Sequence, residues 1–217
     1  ARETKERDTF VKDGKVVLAK GYGLRNVQAN SPVTTDTIFA IGSSTKAFTT
    51  MAMGVLVEEG KLAWDEPVTK YLPKFALKDE VAGKRMTPRD LVTHRSGLPR
   101  HDLMWYNAKL SRPELVARLP YLEPNEDFRE KFQYQNLMFL TAGHLSAEVA
   151  GTSWEDVIRT RILDPIGMKN SNFAVSESQK GGDFATPYTL GNIGGGLVRP
   201  FKLVMDYQHN RIAFVER

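Results

Sequence analysis

The sequence predicts an α+β fold in which strands near both ends of the chain form an antiparallel sheet that helices cover. Three observations support this: a hairpin pattern near residue 10, a long central stretch with helical periodicity, and strand-like segments after residue 200. The chain has 217 residues and no internal repeat, which suits one substantial domain or two small lobes that share a core. We expect a single domain, 1–217, with a sheet part and first long helix in 1–60 and 189–217 and a helical lobe in 61–188.

The first predicted element is a β-hairpin over residues 9–21. Two runs rich in β-branched residues, TFV and KVVLAKG, flank the turn Lys12-Asp13-Gly14. Asp-Gly between such runs is a strong short-range hairpin signal. A polar loop, NSPVTTDT, then leads to the first long helix.

That helix lies in the stretch FAIGSSTKAFTTMAMGVLVEEG, and Gly60 suits the position just past its C-terminal end. Its first turn contains two serines, a threonine and Lys46. The N-terminal end of a helix is its positive end and disfavours a cation. The position of Lys46 therefore requires a compensating interaction or a mechanistic reason.

Later helices are predicted from N-capping patterns, in which Ser or Thr precedes Asp or Glu by three residues. The predicted capping pairs are Thr87 with Asp90, Ser111 with Glu114, and Thr152 with Glu155. An apolar stripe with helical period runs through NLMFLTAGHLSAEVAG and ends at Gly151. Two short strands, 202–205 and 211–216, follow a glycine cluster.

Composition excludes several classes of protein. The net charge of +4 is small and its cations are scattered, which argues against a nucleic-acid partner. There is no cysteine, and the four histidines show no ligand-spaced pair, so we expect no metal and no cofactor. No run is long and apolar enough to predict a membrane span. The compartment stays open, since a mature secreted form and a cytoplasmic protein would look alike here.

Ser43 and Lys46 are the first candidate catalytic pair. Residues i and i+3 share a helix face, so the amine of Lys46 can reach the hydroxyl of Ser43. Burial and the positive helix end both favour the neutral amine, which could deprotonate the serine as a general base. The Ser43 N–H could also stabilise an oxyanion. The alternative is that a serine caps the helix and Lys46 extends to water.

Tyr134 and Asn136 are a second candidate pair, two residues apart immediately before an apolar helix. Side chains at i and i+2 of an extended segment point the same way, so a phenol and an amide could enter one cleft. A core tyrosine beside a capping asparagine is the alternative. His94 and His101 invite a Ser-His-Asp interpretation, but Ser96 lacks the Gly-x-Ser-x-Gly elbow, and a structural role is expected for them.

A family resemblance joins these motifs. Five segments carry it, in this order: FAIGSSTKAFT, GKLAWDEPVTKYLP, TPRDLVTHRSGLP, the segment that begins FQYQNLMFL, and DFATPY. Together they resemble the serine β-lactamase-like family over about residues 14–188. That family includes class C β-lactamases, penicillin-binding proteins, esterases and D-amino-acid peptidases. The resemblance implies an acyl-enzyme on Ser43, proton transfer by Lys46 and Tyr134, and a substrate held by Asn136.

The sequence departs from the family pattern at the third active-site motif. That motif, Lys-Thr-Gly or His-x-Gly, supplies a second oxyanion donor and a cation. In GNIGGG, Asn192 and Gly194 match its shape without the cation, so we take them as candidate substrate-binding residues. A second alignment, which we slightly prefer, matches GGGLV to a glycine-rich turn and leaves no third motif. The C-terminal part is also shorter than the pattern, through a deletion, omitted segments, or a reduced member that completes its sheet by oligomerising.

The sequence therefore predicts a serine hydrolase that acts on small-molecule or peptide esters, amides or lactams, with esterase or D-peptidase activity favoured over dedicated β-lactamase activity. The alternative is a catalytically impaired member that serves as a binding or self-assembling module. A homo-oligomer fits either hypothesis, because missing strands would leave an unpaired sheet edge.

Overall fold

The α+β class is confirmed by the computed structural model, which describes residues 6–106, 108–186, 201–206 and 211–216. The strands are β1 Glu6–Lys12, β2 Lys15–Tyr22, β3 Leu24–Asn26, β4 Ser31–Pro32, β5 Phe201–Asp206 and β6 Arg211–Glu216. The α-helices are α1 Thr45–Glu58, α2 Glu80–Arg85, α3 Pro88–Leu91, α4 Asp102–Trp105, α5 Arg112–Val116, α6 Asn136–Ala150, α7 Trp154–Ile158 and α8 Val175–Lys180. Short 3₁₀ turns comprise Gly42–Ser44, Val68–Lys70 and Leu119–Tyr121, and a π-helical turn, Arg159–Leu163, continues α7.

The predicted hairpin is formed by β1 and β2, with Lys12 opposite Lys15. The two residues between them, Asp13 and Gly14, have φ of 50° and 72°. A two-residue turn with positive φ at both positions matches the right-handed twist of the strands, which is why Asp-Gly specifies it. The two predicted C-terminal strands are also present, as the antiparallel pair β5 and β6.

Strand pairing is more local than the sequence led us to expect. The described strands form three separate two-stranded antiparallel sheets, β1 with β2, β3 with β4, and β5 with β6, instead of one sheet that joins the two ends of the chain. Local hairpins close short loops, and the entropy lost on closure rises with loop length. Each described pair therefore joins strands that are consecutive in the chain, so that only a short connecting loop has to be ordered.

The helical core is organised around α1. Met53 and Leu56 of α1 are fully buried in one apolar cluster together with Leu137, Met138 and Leu145 of α6. The next face of α1 contributes Ala52 to a second cluster, which is completed by Trp154, Val157, Ile158, Ile162 and Leu163. Since α1 is packed on two sides, its N-terminal turn is held at a fixed position relative to the start of α6.

Two of the three predicted helix caps are confirmed. Thr87 with Asp90 and Ser111 with Glu114 form reciprocal capping boxes at α3 and α5. The third prediction was one residue off, because Ser153 caps α7 and its hydroxyl bonds Asp156 at 2.6 Å.

The reason for that shift lies in the preceding helix. The N–H of Thr152 donates to the carbonyl of Ala147 and so closes α6, whose C-cap Gly151 has φ of 69°. Glu155 is also engaged elsewhere, since Arg112 donates to both of its carboxylate oxygens.

The segment that contains DFA lies beside the approach to α1. Phe184 forms a parallel bridge with Ile38, and the carboxylate of Asp183 accepts hydrogen bonds from Thr34 at 2.6 Å and Thr37 at 2.7 Å. These contacts fix the strand-like stretch that leads into the first turn of α1. Over the described ranges, every helix falls short of the length and apolar character that crossing a bilayer requires.

Asp90 is the most heavily bonded buried carboxylate of the described part of the lobe. It accepts hydrogen bonds from Arg129 at 2.9 and 2.7 Å and from the backbone and hydroxyl of Thr87 at 2.9 and 2.7 Å. Burial alone would raise the pKa of Asp90, but the Arg129 and Thr87 hydrogen bonds outweigh it and hold that pKa below its ordinary value. The Asp90–Arg129 ion pair therefore connects the segment before α6 to the start of α3.

Asp90→Asn tests this tie. A carboxylate whose pKa is lower in the folded than in the unfolded chain stabilises the fold at pH values above the unfolded pKa of about 3.9. This stabilisation is lost as the pH falls through the folded pKa. Because Arg129 is 38% exposed, we expect a loss of only about 2 kcal/mol at pH 7. The difference from wild type should shrink on acidification. Urea unfolding at pH 7 and at acidic pH measures it, and Asp65→Asn, which breaks the exposed pair with Arg89, is the control. Equal losses of stability in the two variants would show that Asp90 contributes no more than a surface ion pair.

Candidate active site

Ser43 lies at the middle of the 3₁₀ turn that precedes α1, so the α-helix itself begins two residues later than the candidate nucleophile. Gly42 has φ of 50°, and the N–H of Ser44 donates to the carbonyl of Ile41 at 3.0 Å. Lys46 is three residues further on, in the first turn of α1, and its amine reaches Ser43 as the spacing predicted.

Lys46 has the compensating interactions that its position requires. Its Nζ donates to Ser43 Oγ at 3.1 Å and to Tyr134 Oη at 2.7 Å. The same nitrogen lies 4.7 Å from the ring centre of Tyr134 and 5.4 Å from that of Phe139. Each such cation–π contact contributes about 0.5–2 kcal/mol, which offsets the unfavourable end of the helix dipole.

Tyr134 completes a triangle of polar atoms. Its Oη lies 2.6 Å from Ser43 Oγ, although the two residues are 91 positions apart in the chain. Tyr134 is half-buried and stands in the extended segment just before α6, whereas Ser43 is exposed to solvent. The structure therefore brings together the three residues that the sequence singled out for catalysis, and the serine hydroxyl remains reachable from outside.

The surroundings change the acidity of Tyr134. Burial would raise the pKa of Tyr134, but hydrogen bonds with Lys46 and Ser43 and the charges of Lys46 and Arg100 outweigh it. The pKa of Tyr134 therefore lies below that of an ordinary phenol. A phenol that ionises more readily is more often present as the phenolate, the form that can accept a proton from a neighbouring hydroxyl.

Tyr134 is placed by a turn at residues 94–99, which we call the SGLP turn. Main-chain carbonyls of this turn accept hydrogen bonds from the segment that precedes α6: Arg129 N to Arg95 O at 2.8 Å, Gln133 N to His94 O at 2.7 Å, and Gln133 Nε2 to Gly97 O at 3.1 Å. A Cβ at Gly97 would lie 2.4 Å from Glu126 O, so only glycine allows this approach. The turn thus fixes the backbone on the N-terminal side of Tyr134.

Asn136 is the first residue of α6 and does not cap this helix. The N-cap is Gln135, whose side-chain oxygen accepts the N–H of Leu137. The amide of Asn136 donates to Asp102 Oδ1 at 3.4 Å. Asp102 also accepts from Trp105 at 3.2 Å and from Arg100 at 2.6 Å. Asp102 thus anchors the amide of the predicted substrate-binding asparagine.

Sequence reasoning missed Arg100 and Asp102. The guanidinium of Arg100 lies 5.1 Å from the ring centre of Tyr134, which brings a cation beside the triangle. Neither residue belongs to a recognised short motif, and their contacts with Tyr134 and Asn136 come from tertiary packing.

The histidines take structural positions, as expected. His94 is buried and its Nδ1 accepts the N–H of Gln135, while His101 Nε2 meets the carbonyl of Glu123 at 3.2 Å. Where residues are described, no group of three or more His, Asp or Glu side chains is arranged to hold a metal ion. Asn192 and Gly194 lie outside the described residues, so their assignment stays a prediction.

Fold and site together define the class of serine β-lactamases and penicillin-binding proteins. The model of the Beta-lactamase family matches residues 9–204, and the chain belongs to that family. This confirms the resemblance found in the motifs.

Individual relatives fit this assignment. The chain is 33% identical over 181 residues to the "Unguisins hydrolase ungD′" of Aspergillus campestris, covering 79% of this chain and 34% of the relative. It is 28% identical over 195 residues to a "Teichoic acid D-alanine hydrolase" of Staphylococcus aureus, covering 90% of this chain and 47% of the relative. Among solved structures, the octameric penicillin-binding protein homologue from Pyrococcus abyssi has a TM-score of 0.68 at 32% identity, covering 96% of this chain and 45% of that one. The chain thus spans about a third to a half of these relatives.

The acidity of Tyr134 can be measured directly. Lys46→Met removes a hydrogen-bond donor and a positive charge that favour the phenolate, so the pKa of Tyr134 should rise. The chain has seven tyrosines, so the tyrosinate absorbance of a matching Tyr134→Phe variant is subtracted to isolate this residue. Lys84→Met, at an exposed helical lysine, should leave the titration unchanged. If Lys46→Met also leaves it unchanged, Lys46 does not control the phenol.

Proposed function

We propose that this protein is a serine hydrolase that forms an acyl-enzyme on Ser43. The observation that carries the proposal is the triangle of Ser43 Oγ, Tyr134 Oη and Lys46 Nζ, with separations of 2.6, 2.7 and 3.1 Å. A nucleophile within hydrogen-bond reach of a base, which a third group in turn orients, is the general signature of nucleophilic catalysis. The hydrolase names of the relatives support the same reaction type.

Tyr134, in its ionised phenolate form, is the immediate proton acceptor in this proposal. Its oxygen is nearer to Ser43 Oγ than Lys46 Nζ is, at 2.6 Å against 3.1 Å. As Ser43 Oγ attacks the carbonyl carbon, its proton passes to the Tyr134 oxygen, and Lys46 donates hydrogen bonds to both atoms. Tyr134 then returns the proton to the leaving amine or alkoxide. In the second half, water attacks the ester and the Tyr134 phenolate takes a proton from it. Tyr134 then gives this proton to Ser43 Oγ, which leaves as the hydroxyl.

The oxyanion of the tetrahedral intermediate needs donors in addition to this base. The backbone N–H of Ser43 is in the first turn, where N–H groups lack intrahelical acceptors, and we assign it as the first donor. Asn136 would hold a substrate carbonyl through its amide. If Asn192 and Gly194 form the third motif, Gly194 supplies the second donor. Loss of one such donor lowers kcat by about 10²–10³-fold, so turnover depends on that assignment.

We favour esters or D-amino-acid derivatives as substrates over dedicated β-lactam hydrolysis. In the alignment that places the third motif at Asn192-Ile193-Gly194, an asparagine stands where the family pattern has the cation that would hold a penicillin carboxylate. A relative that is named a D-alanine hydrolase supports an ester- or amide-linked D-amino acid. Arg100 also lies beside Tyr134, but its guanidinium is already paired with the carboxylate of Asp102.

Acylation is tested by intact-mass analysis after treatment with a fluorophosphonate, which transfers its phosphonyl group to a serine oxygen and releases fluoride. We expect one adduct on wild type, none on Ser43→Ala, and an unchanged adduct on Ser44→Ala, the matched neighbour in the same turn. Tyr134→Phe should slow acylation by about 10²–10⁴-fold, since it removes the general base. Absence of an adduct on wild type, or one that survives Ser43→Ala, would contradict the proposal.

A homo-oligomer is a second proposal, and it also suits the alternative of a self-assembling module. Apolar side chains on both faces of the β1–β2 hairpin are exposed, among them Phe10, Val11, Val16, Val17 and Leu18. Such patches mark association surfaces, and one structural relative is octameric. Sedimentation velocity over a concentration series should show species larger than a monomer. A concentration-independent monomer with esterase activity would rule against this proposal.

A further inference from the structure

His94 is bonded to the backbone on both sides of Tyr134. Its carbonyl accepts the N–H of Gln133 at 2.7 Å, and its ring Nδ1 accepts the N–H of Gln135 at 3.0 Å. The two residues on either side of the proposed base are therefore held by one residue, through its main chain and its side chain. No other described residue is bonded in this way to both neighbours of Tyr134.

The backbone of His94 is in an uncommon conformation. Its φ is 59°, in the left-handed region, which few residues other than glycine adopt, although asparagine, aspartate and histidine do so more often than the rest. With His94 in this conformation, the carbonyl and the ring nitrogen both reach the same neighbouring segment. Strain of this kind persists where the surrounding contacts outweigh it, and here those contacts lead to Tyr134.

The imidazole also packs against three aromatic rings beside the polar triangle. Its centre lies 4.6 Å from that of Tyr134, 5.0 Å from that of Phe139 and 5.3 Å from that of Phe132. Tyr134 and Phe139 are the two rings over which the Lys46 nitrogen lies. A side chain of a different volume at residue 94 would therefore shift the two rings that contact the Lys46 amine, and with them the Tyr134 hydroxyl.

The hydrogen bond from Gln135 requires an unprotonated Nδ1, because only that form can accept. Burial, together with the charge of Lys46, lowers the pKa of His94 and favours the neutral ring. With its Nδ1 lone pair engaged by a peptide N–H, the imidazole is not available as a general base for Ser43. Its contribution is geometric.

We propose that His94 is the positioning residue for the reaction on Ser43: its neutral Nδ1, as acceptor from Gln135 N–H, sets the Tyr134 hydroxyl within reach of both Ser43 and Lys46. This inference rests on the proposed acyl-enzyme function. It adds a required side chain that makes no contact with the reacting atoms.

The test compares substitutions that separate the acceptor from the ring. Asparagine offers an amide oxygen near the position of Nδ1 and tolerates left-handed backbone, whereas phenylalanine keeps the ring and removes the acceptor. A displacement of about 1 Å in a catalytic group lowers the rate about 10²-fold. We expect His94→Phe to lower kcat for an ester substrate by about that factor with KM nearly unchanged. His94→Asn should recover most of the loss.

A second readout does not depend on turnover. If Tyr134 moves away from Lys46, its pKa should rise in His94→Phe and stay near the wild-type value in His94→Asn, as measured by the tyrosinate difference titration. If His94→Phe does not fold, His94→Gly serves instead, since glycine adopts the same backbone, and added imidazole should restore the lowered pKa of Tyr134.

The outcomes separate the two proposals. Wild type that forms no Ser43 adduct overturns the acyl-enzyme function and this role with it. Wild type that is acylated, with His94→Phe equally fast and its Tyr134 titration unchanged, overturns the positioning role alone. Equal loss in the asparagine and phenylalanine variants, in step with their loss of stability, shows a purely structural histidine and also overturns it.

Discussion

The hydrogen bond between Ser43 Oγ and Tyr134 Oη, 2.6 Å long, joins parts of the chain that are 91 positions apart. It forms because α1 and α6 pack against each other through fully buried residues, so the turn before one helix meets the extended segment before the other. Lys46 donates to both oxygens and would be poorly placed at a helix N-terminus without them. The polar triangle thus depends on the apolar packing between α1 and α6. The position of Lys46 depends in turn on its hydrogen bonds within the triangle.

A second layer of contacts limits where Tyr134 can go. The SGLP turn accepts the backbone N–H groups before Tyr134, and His94 bonds the residue on each side of it. Behind this turn, Asp90 pairs with Arg129 and joins α3 to the same segment. A reaction that needs atoms placed within a fraction of an ångström requires such support, because side chains on an unbraced loop would sample several positions. For this reason His94 can affect the rate without touching a substrate.

Local rules explain which features the sequence could predict. The Asp13-Gly14 turn, the capping boxes at Thr87 and Ser111, and the spacing of Ser43 and Lys46 each involve residues within four positions, where backbone geometry leaves few alternatives. The cap of α7 was missed by one residue because Thr152 is used by the end of α6, a competition that pattern matching does not weigh. The links from Arg100 and Asp102 to Tyr134 and Asn136 depend on tertiary packing, so no sequence spacing could indicate them.

The central claim is that Ser43, Tyr134 and Lys46 act as one unit around the reacting carbonyl. A crystal structure of the protein after reaction with a phosphonate tests it most directly. We predict a covalent bond from Ser43 Oγ to phosphorus, with Tyr134 Oη still within hydrogen-bond distance of Ser43 Oγ and of Lys46 Nζ. An adduct on another residue, or a Tyr134 hydroxyl turned away from the adduct and from Lys46, would contradict that claim.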